Sequence, residues 1–213
     1  MQTIASIARR VQPSPSTEAT ARARYKLPDE AAVYAGVREQ ALLEIDRRGM
    51  VADVPALEAA CRRIARWLCD PTKKQSLILL GLPGCGKTTL MRSVARYMWA
   101  VGCPSCKWYD ATDLPTVRID REVEWEDTIL KGGWAAYLML DDIGEEPVVA
   151  KDYGRDWPLF QKIVAERYTR MLPMVITTNL NFDQMAERYG ERTADRLREI
   201  ADLMPFANGS FRK

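Results

Sequence analysis

The sequence predicts an α/β fold in which a mostly parallel, doubly wound sheet carries helices on both faces. Three apolar runs support this prediction, because each has the length of a buried strand and each ends in glycine or polar residues. Stretches with apolar residues at helical spacing separate the runs, and this alternation is typical of parallel sheets. The runs lie at residues 76–80, 136–140 and 174–180.

The composition fits one globular domain, with 213 residues of which 47% are hydrophobic and 28% are charged. The net charge of +2 is close to neutral, so charge alone does not indicate a nucleic-acid-binding protein. The five cysteines indicate a reducing compartment, and no apolar run approaches the roughly 20 residues that span a bilayer. We therefore expect a cytoplasmic protein that does not enter a membrane. The chain contains no histidine, which excludes histidine-based acid–base chemistry and histidine metal ligands.

The first chemical motif follows the run at residues 76–80. Residues 81–88 read GLPGCGKT and fit the phosphate-binding pattern G-x-x-x-x-G-K-[ST], with a strand before them and a helix after them. Glycines let such a loop turn its N–H groups toward phosphate oxygens, and the helix N-terminus adds a partial positive charge. We expect Lys87, on an exposed loop, to reach the β- and γ-phosphates and the Thr88 hydroxyl to hold Mg²⁺. The nucleotide-binding residues expected from this motif are Gly81, Pro83, Gly84, Cys85, Gly86, Lys87, Thr88 and Thr89.

Two carboxylates, Asp141 and Asp142, follow the apolar run at residues 136–140. At the carboxyl end of a strand beside a phosphate loop, the first carboxylate can hold Mg²⁺, and the second can orient or deprotonate the attacking water. Asn179 lies near the end of the next run, where it can bond the γ-phosphate or that water. An acidic turn and a helix-capping asparagine are the structural alternatives.

The N-terminal part of the chain has a different character. Residues 1–28 contain five Lys and Arg against one acid, which indicates either a basic docking arm or a disordered tail without a partner. Amphipathic helices are expected over residues 29–48 and 55–69. We therefore divide the chain into a basic and helical N-terminal region at 1–70, expected to dock a partner, and an ATPase core at 71–213.

Two features in the middle of the chain each allow a structural and a functional interpretation. Cys103 and Cys106 form a C-x-x-C, yet a zinc site needs four ligands and the other cysteines form no second pair, so a turn is the simpler reading. Residues 113–133 combine charges with Trp125, and Trp134 follows them. They fit either stacking on single-stranded nucleic acid or a solvated helix with a buried aromatic side.

The ordered set of motifs resembles the DnaC/IstB group of AAA+ ATPases, the bacterial and phage helicase loaders and transposition helpers. The resemblance covers residues 76–212, which is most of the chain. It rests on the phosphate loop, LDDIG at 140–144, ERY at 166–168, ITTNL at 176–180, GERxxxRL at 190–197 and SFR at 210–212.

This resemblance implies roles for several polar residues. Asn179 corresponds to sensor 1, Arg196 corresponds to the arginine finger with Arg192 beside it, and Arg212 corresponds to a sensor-2-like residue. Asp142 stands where many AAA+ proteins carry Glu, so slow hydrolysis is expected. Only 17 residues follow Arg196 (213 minus 196), and we therefore expect a reduced or absent helical lid.

The resemblance also implies a protein that binds ATP and ADP with Mg²⁺, hydrolyses ATP slowly and forms nucleotide-dependent homo-oligomers. Its expected task is to load or remodel a hexameric replicative helicase on DNA during replication initiation, with single-stranded DNA as a further partner. An IstB-like transposition helper, or a DNA-binding adaptor that needs ATP only for its structure, is the first alternative. A small-molecule kinase is the second alternative, although it would need an acceptor pocket and an arginine-rich lid.

Overall fold

The computed structural model describes most of the chain after the basic N-terminal arm. Arg212, Cys103 and Trp134, to which the sequence assigned possible roles, lie outside the described residues. No helix in the described part combines the length and the apolar character that crossing a bilayer requires. The described ranges are 26–50, 53–102, 106–133, 137–152 and 154–206.

A parallel sheet forms the centre of the fold. In chain order the strands are β1 (Ser76–Gly81), β2 (Cys106–Asp110), β3 (Tyr137–Ile143), β4 (Ala150–Asp152), β5 (Arg155–Trp157), β6 (Met174–Thr178) and β7 (Ala201–Phe206). Five of them form one sheet in the order β2-β3-β6-β1-β7, and every neighbouring pair in it is parallel. The strands β4 and β5 form a separate antiparallel hairpin. The carboxyl ends of β1, β3 and β6, which the sequence predicts to carry chemistry, therefore lie side by side at one edge.

Helices connect the strands of the sheet. The α-helices are α1 (Glu30–Arg47), α2 (Val54–Cys69), α3 (Lys87–Ala100), α4 (Leu114–Asp120), α5 (Leu159–Thr169), α6 (Phe182–Tyr189) and α7 (Glu191–Ile200). A 3₁₀ turn at Ala111–Asp113 precedes α4, and a π-helix at Glu124–Leu130 follows it. The first two helices begin at aspartate caps, because the side chains of Asp29 and Asp53 accept hydrogen bonds from backbone N–H groups in the first turn.

The helices cover both faces of the sheet, which confirms the predicted fold class. On one face, α1, α2 and α3 pack in a single hydrophobic cluster with β1, β3 and β6. On the other face, the π-helix, α5, α6 and α7 pack in a second cluster against the same strands. Successive residues of β1 enter different clusters, since Leu77 and Leu79 belong to the first and Ile78 belongs to the second. The first helix is therefore packed directly against α3, the helix that follows the phosphate loop, and α2 packs against α1 in the same cluster.

The strand β7 was not predicted from the sequence. It contains Asp202 and Pro205, which weaken a strand pattern, and it lies at the edge of the sheet, where proline is tolerated. The hairpin of β4 and β5 was also missed, because its strands have only three residues each and carry charged side chains.

Candidate active site

The phosphate loop connects β1 to α3 at the carboxyl edge of the sheet. Gly86 caps α3 with a φ of 94°, a left-handed conformation that favours glycine, and Lys87 is the first residue of the helix. Gly81 is required by a close approach, because a Cβ at this position would lie 2.8 Å from the backbone oxygen of Phe206 in β7. The first turn of α3 has backbone N–H groups without intrahelical partners, which is the feature that binds anions at helix N-termini.

Lys87 is buried, with only 4% of its surface exposed. Its Nζ donates to the backbone oxygens of Gly81 and Leu82, at 2.7 and 3.1 Å, and to Asn179 Oδ1 at 2.8 Å. The expectation of a lysine on an exposed loop is therefore wrong, because the start of α3 places the side chain beneath the loop, where oxygen acceptors replace water. Asn179 follows β6, which is the neighbour of β1 in the sheet, and strand pairing brings these two distant residues together.

Asp141 is a buried carboxylate at the end of β3. Its Oδ1 accepts hydrogen bonds from Thr88 Oγ1 at 3.0 Å and from Thr177 Oγ1 at 2.6 Å. The pKa of the Asp141 carboxyl is raised, mainly by burial and also by the neighbouring charge of Asp142. The hydrogen bonds from the two hydroxyl groups lower this pKa, but they do not reverse the upward shift. Side-chain oxygens from β3, β6 and α3 are thus gathered at one point.

Asp142 turns the chain sharply after this carboxylate. Its φ of 54° is unusual for a residue other than glycine, and such a conformation costs on the order of 1–3 kcal/mol unless its surroundings hold it. Its backbone N–H donates to Thr177 Oγ1 at 2.8 Å, so one hydroxyl bridges both aspartates. The following turn is fixed by the buried Glu146, whose carboxylate accepts from the N–H of Gly144 and from the hydroxyl of Tyr189.

These side chains surround an open cleft of about 380 Å³. Most of the residues that the sequence assigned to nucleotide and metal binding line it, whereas Arg48, Met50, Arg92, Asp110 and Glu145 were not predicted. Asp110 had a sequence signal, since it ends β2 at the same edge of the sheet. Arg48 had none, because it follows the last residue of α1, far from the motifs in sequence. The lining residues are Arg48, Met50, Pro83, Gly84, Gly86, Lys87, Thr88, Thr89, Arg92, Asp110, Asp141, Asp142, Glu145 and Asn179.

A narrow apolar pocket of about 30 Å³ adjoins the cleft. The two spaces share Met50, Gly86 and Thr89, so they open on either side of the start of α3. Cys85, which the sequence assigned to nucleotide binding, lines this pocket instead of the cleft, and Phe206 of β7 forms part of the wall.

The two arginines predicted near the end of the chain do not line the cleft. Arg192 and Arg196 lie on α7, and the guanidinium of Arg196 lies 5.3 Å from the ring centre of Tyr168 on α5. The Tyr168 hydroxyl donates in turn to Glu199 at 2.7 Å. Arg196 is therefore half-buried against Tyr168 of α5 and does not line the cleft of its own chain.

The described residues of the two ambiguous features of the middle region, Cys106 and Trp125, are both buried. Cys106 is buried, with its Sγ 3.4 Å from Met98 Sδ. Trp125 is fully buried in the π-helix, which confirms the interpretation of a helix with a buried aromatic side and leaves this ring unable to stack on a nucleic-acid base.

Solved structures with this fold include DnaC, DnaI and DnaA. The DnaC helicase loader matches with a TM-score of 0.56 and 23% identity, over 71% of this chain and 90% of that chain. DnaI matches with a TM-score of 0.51 and 23% identity, over 74% and 87%. AMPPCP-bound DnaA from Aquifex aeolicus matches with a TM-score of 0.50 and 15% identity, over 74% and 48%. The chain has the fold of an AAA+ ATPase core. The resemblance predicted from the sequence motifs is confirmed at this level.

One family model also matches part of the chain. It describes the viral superfamily 1 RNA helicase core domain and covers residues 77–157, which is less than half of the sequence. The matched part runs from β1 to β5 and contains the phosphate loop and Asp141. No curated protein sequence matches the chain.

Proposed function

We propose that the cleft binds ATP, with the phosphates at the phosphate loop. The observation that carries this proposal is the convergence of two polar pairs at the carboxyl edge of the sheet. Lys87 lies 2.8 Å from Asn179, and Thr88 lies 3.0 Å from Asp141, although the members of each pair are far apart in sequence. On binding, the Lys87 ammonium would exchange an oxygen acceptor of the protein for a phosphate oxygen, at little cost in hydrogen bonds. The adjoining apolar pocket offers a surface for the base.

The residues present fit a magnesium ion bound together with the nucleotide. Mg²⁺ takes oxygen ligands and is usually held by one or two side chains, phosphate oxygens and water. Thr88 and Asp141 supply two such oxygens, 3.0 Å apart. The described residues contain no group of three or more acidic or cysteine side chains arranged as a metal centre, so phosphate would complete the ligand set. The ion would neutralise charge on the phosphates.

We further propose that the cleft hydrolyses ATP slowly. Asp142 lines the cleft beside Asp141, and its carboxylate would orient the attacking water and accept its proton. Asn179 would hold the same water or the γ-phosphate through its side-chain amide. Arg196 would act on the nucleotide of a neighbouring subunit, with Arg192 beside it; its position outside the cleft of its own chain supports this assignment.

ATP binding would control association with a hexameric replicative helicase that the protein loads or remodels on DNA. The similarity to the DnaC helicase loader, which spans 90% of that chain, supports this proposal. The N-terminal region would dock the helicase. Because α1 packs onto α3, and α2 packs onto α1 in the same hydrophobic cluster, a movement of the phosphate loop would reach this region through α3.

Association with the helicase is tested by size-exclusion chromatography of the full chain with the replicative helicase of its own cell. The proposal predicts co-elution with ATP and Mg²⁺ and weaker co-elution with ADP. The Lys87→Ala variant is the control for nucleotide dependence, and a chain lacking residues 1–25 tests the docking arm without removing α1. A protein that binds ATP but co-elutes with a transposase, or with DNA alone, would support the transposition helper or the DNA-binding adaptor instead.

A further inference from the structure

A buried carboxylate outside the phosphate loop gathers four arginines. Glu44 of α1 is only 2% exposed. Its Oε1 lies 2.9 Å from Arg48 Nε and 3.7 Å from Arg92 Nη1, and its Oε2 lies 3.1 Å from Arg96 Nη1 and 3.8 Å from Arg47 Nη1. Within the described part of the chain, Glu44 is the only carboxylate that lies within 4 Å of these guanidinium groups. The cluster therefore has a surplus of positive charge.

This surplus faces the nucleotide cleft. The two arginines on Oε1, Arg48 and Arg92, line the cleft, whereas Arg47 and Arg96 on Oε2 do not. Arg48 follows the last residue of α1, and Arg92 lies on α3 five residues after Lys87. The guanidinium of Arg92 also lies 5.1 Å from the ring centre of Trp108, which restricts it from a second side.

The charges that line the cleft show why additional cations are needed there. Among the described residues that line the cleft, Lys87 would be the only cation without the two arginines, beside four carboxylates that repel the phosphates of a nucleotide. Magnesium compensates part of this repulsion, but the triphosphate with its ion still carries net negative charge. The carboxylates are Asp110, Asp141, Asp142 and Glu145.

We propose that Arg48 and Arg92 are further phosphate-binding residues of this site and that Glu44 is the positioning residue that holds them at the cleft. This inference rests on the proposed nucleotide binding. It assigns part of the ATP site to α1, which lies in the N-terminal region and not in the phosphate-loop motif. Arg48 caps the end of α1, so its contact with a phosphate would link nucleotide binding to the position of α1. This helix follows the N-terminal arm in the chain.

Four single arginine-to-alanine variants of the full chain test the proposal, since each removes one positive charge and one neighbour of Glu44. Calorimetric titration at constant ionic strength measures ATP binding with Mg²⁺, and adenosine serves as the ligand without phosphates. Arg48→Ala and Arg92→Ala should weaken ATP binding roughly tenfold, as expected for one charge-assisted contact, and leave adenosine binding unchanged. Arg47→Ala and Arg96→Ala should change ATP binding less than about twofold. Arg96 is the best-matched control, because its side chain is 36% exposed, against 33% for Arg48 and 41% for Arg92.

Glu44→Gln separates positioning from simple charge balance. A positioning role predicts weaker ATP binding and, in the double variant with Arg48→Ala, a loss smaller than the sum of the single losses. Tighter ATP binding by Glu44→Gln would overturn this role, because it would mean that Glu44 only offsets the positive charge.

The controls separate this inference from the proposed function. If the wild-type protein binds no ATP, the proposed function itself fails. If it binds ATP and all four arginine variants respond alike, only this inference is overturned. Thermal melting without nucleotide identifies any variant that does not fold, and Arg48→Lys or Arg92→Lys then replaces it. These lysine variants keep the charge and should recover part of the affinity.

Discussion

The Thr177 hydroxyl is the smallest group on which the geometry of both aspartates depends. It donates to Asp141 at 2.6 Å and accepts from the N–H of Asp142 at 2.8 Å, in a fully buried position. Thr177→Val removes the hydroxyl and nearly preserves the shape of the side chain. We expect the free energy of unfolding to fall by about 3 kcal/mol. The lost hydrogen bond to the Asp141 carboxylate contributes about 2 kcal/mol, and the lost neutral bond from the Asp142 N–H contributes about 1 kcal/mol.

Thr178→Val is a matched control on the same strand. The Thr178 hydroxyl is equally buried, donates to the backbone oxygen of Ile143 at 2.6 Å and accepts from the N–H of Leu180 at 3.0 Å. Its loss removes two neutral bonds, worth about 2 kcal/mol, without touching either aspartate. The two variants should therefore be destabilised by similar amounts.

Their dependence on magnesium should differ. Thr177→Val should need roughly 10–100 times more Mg²⁺ for half-maximal ATP turnover, the usual effect of losing a hydrogen bond that orients a metal ligand. Thr178→Val should need about the same concentration as the wild type. Phosphate release measured over a Mg²⁺ titration, below the melting temperature of both variants, gives the comparison. Equal magnesium dependence in the two variants would refute the role of Thr177.

Three further predictions concern catalysis, assembly and the core. Asp142→Asn should keep ATP affinity within about twofold and lose turnover about 100-fold or more, because an amide cannot accept the proton of water; unchanged phosphate release would refute this role. Arg196→Ala should bind ATP without hydrolysing it. Adding the Lys87→Ala protein, which keeps Arg196 but lacks the phosphate-binding lysine, should restore some phosphate release. If the mixture stays inactive at concentrations at which the wild type assembles, action of Arg196 in trans is contradicted. Arg167→Lys should lower the free energy of unfolding by roughly 2–3 kcal/mol, measured by thermal or urea denaturation. The buried guanidinium donates to carbonyls of both the π-helix and Pro173, and one ammonium cannot replace all of these bonds. A melting curve like that of the wild type would contradict this prediction.

The sequence predicts the parallel sheet because β1, β3 and β6 are short, apolar and separated by helical patterns. It also predicts which strand ends carry polar groups, since these groups follow each apolar run directly. The order of the strands is a property of three-dimensional packing, and no local pattern shows that β7 pairs with β1 at the sheet edge.

Within the candidate site, the predictable residues are those that belong to contiguous motifs, such as Lys87 and Asp141. Arg48 was not predictable, because only the packing of α1 against α3 brings it to the cleft. Thr177 stands inside a recognised motif, but its contact with Asp141 depends on the register between β3 and β6. The burial of Lys87 likewise depends on acceptors that the fold supplies from a separate strand end.

Calorimetric titration of ATP with Mg²⁺ into the full chain and into Lys87→Ala tests nucleotide binding at this cleft most directly. We predict one ATP per wild-type chain and an affinity at least about 100-fold lower for the variant, because two or more charge-assisted contacts to phosphate are lost. The variant should also melt at a lower temperature, since Lys87 is buried and donates to three oxygens of the protein. Unchanged ATP affinity in a folded Lys87→Ala protein, or no binding by the wild type, would contradict the account.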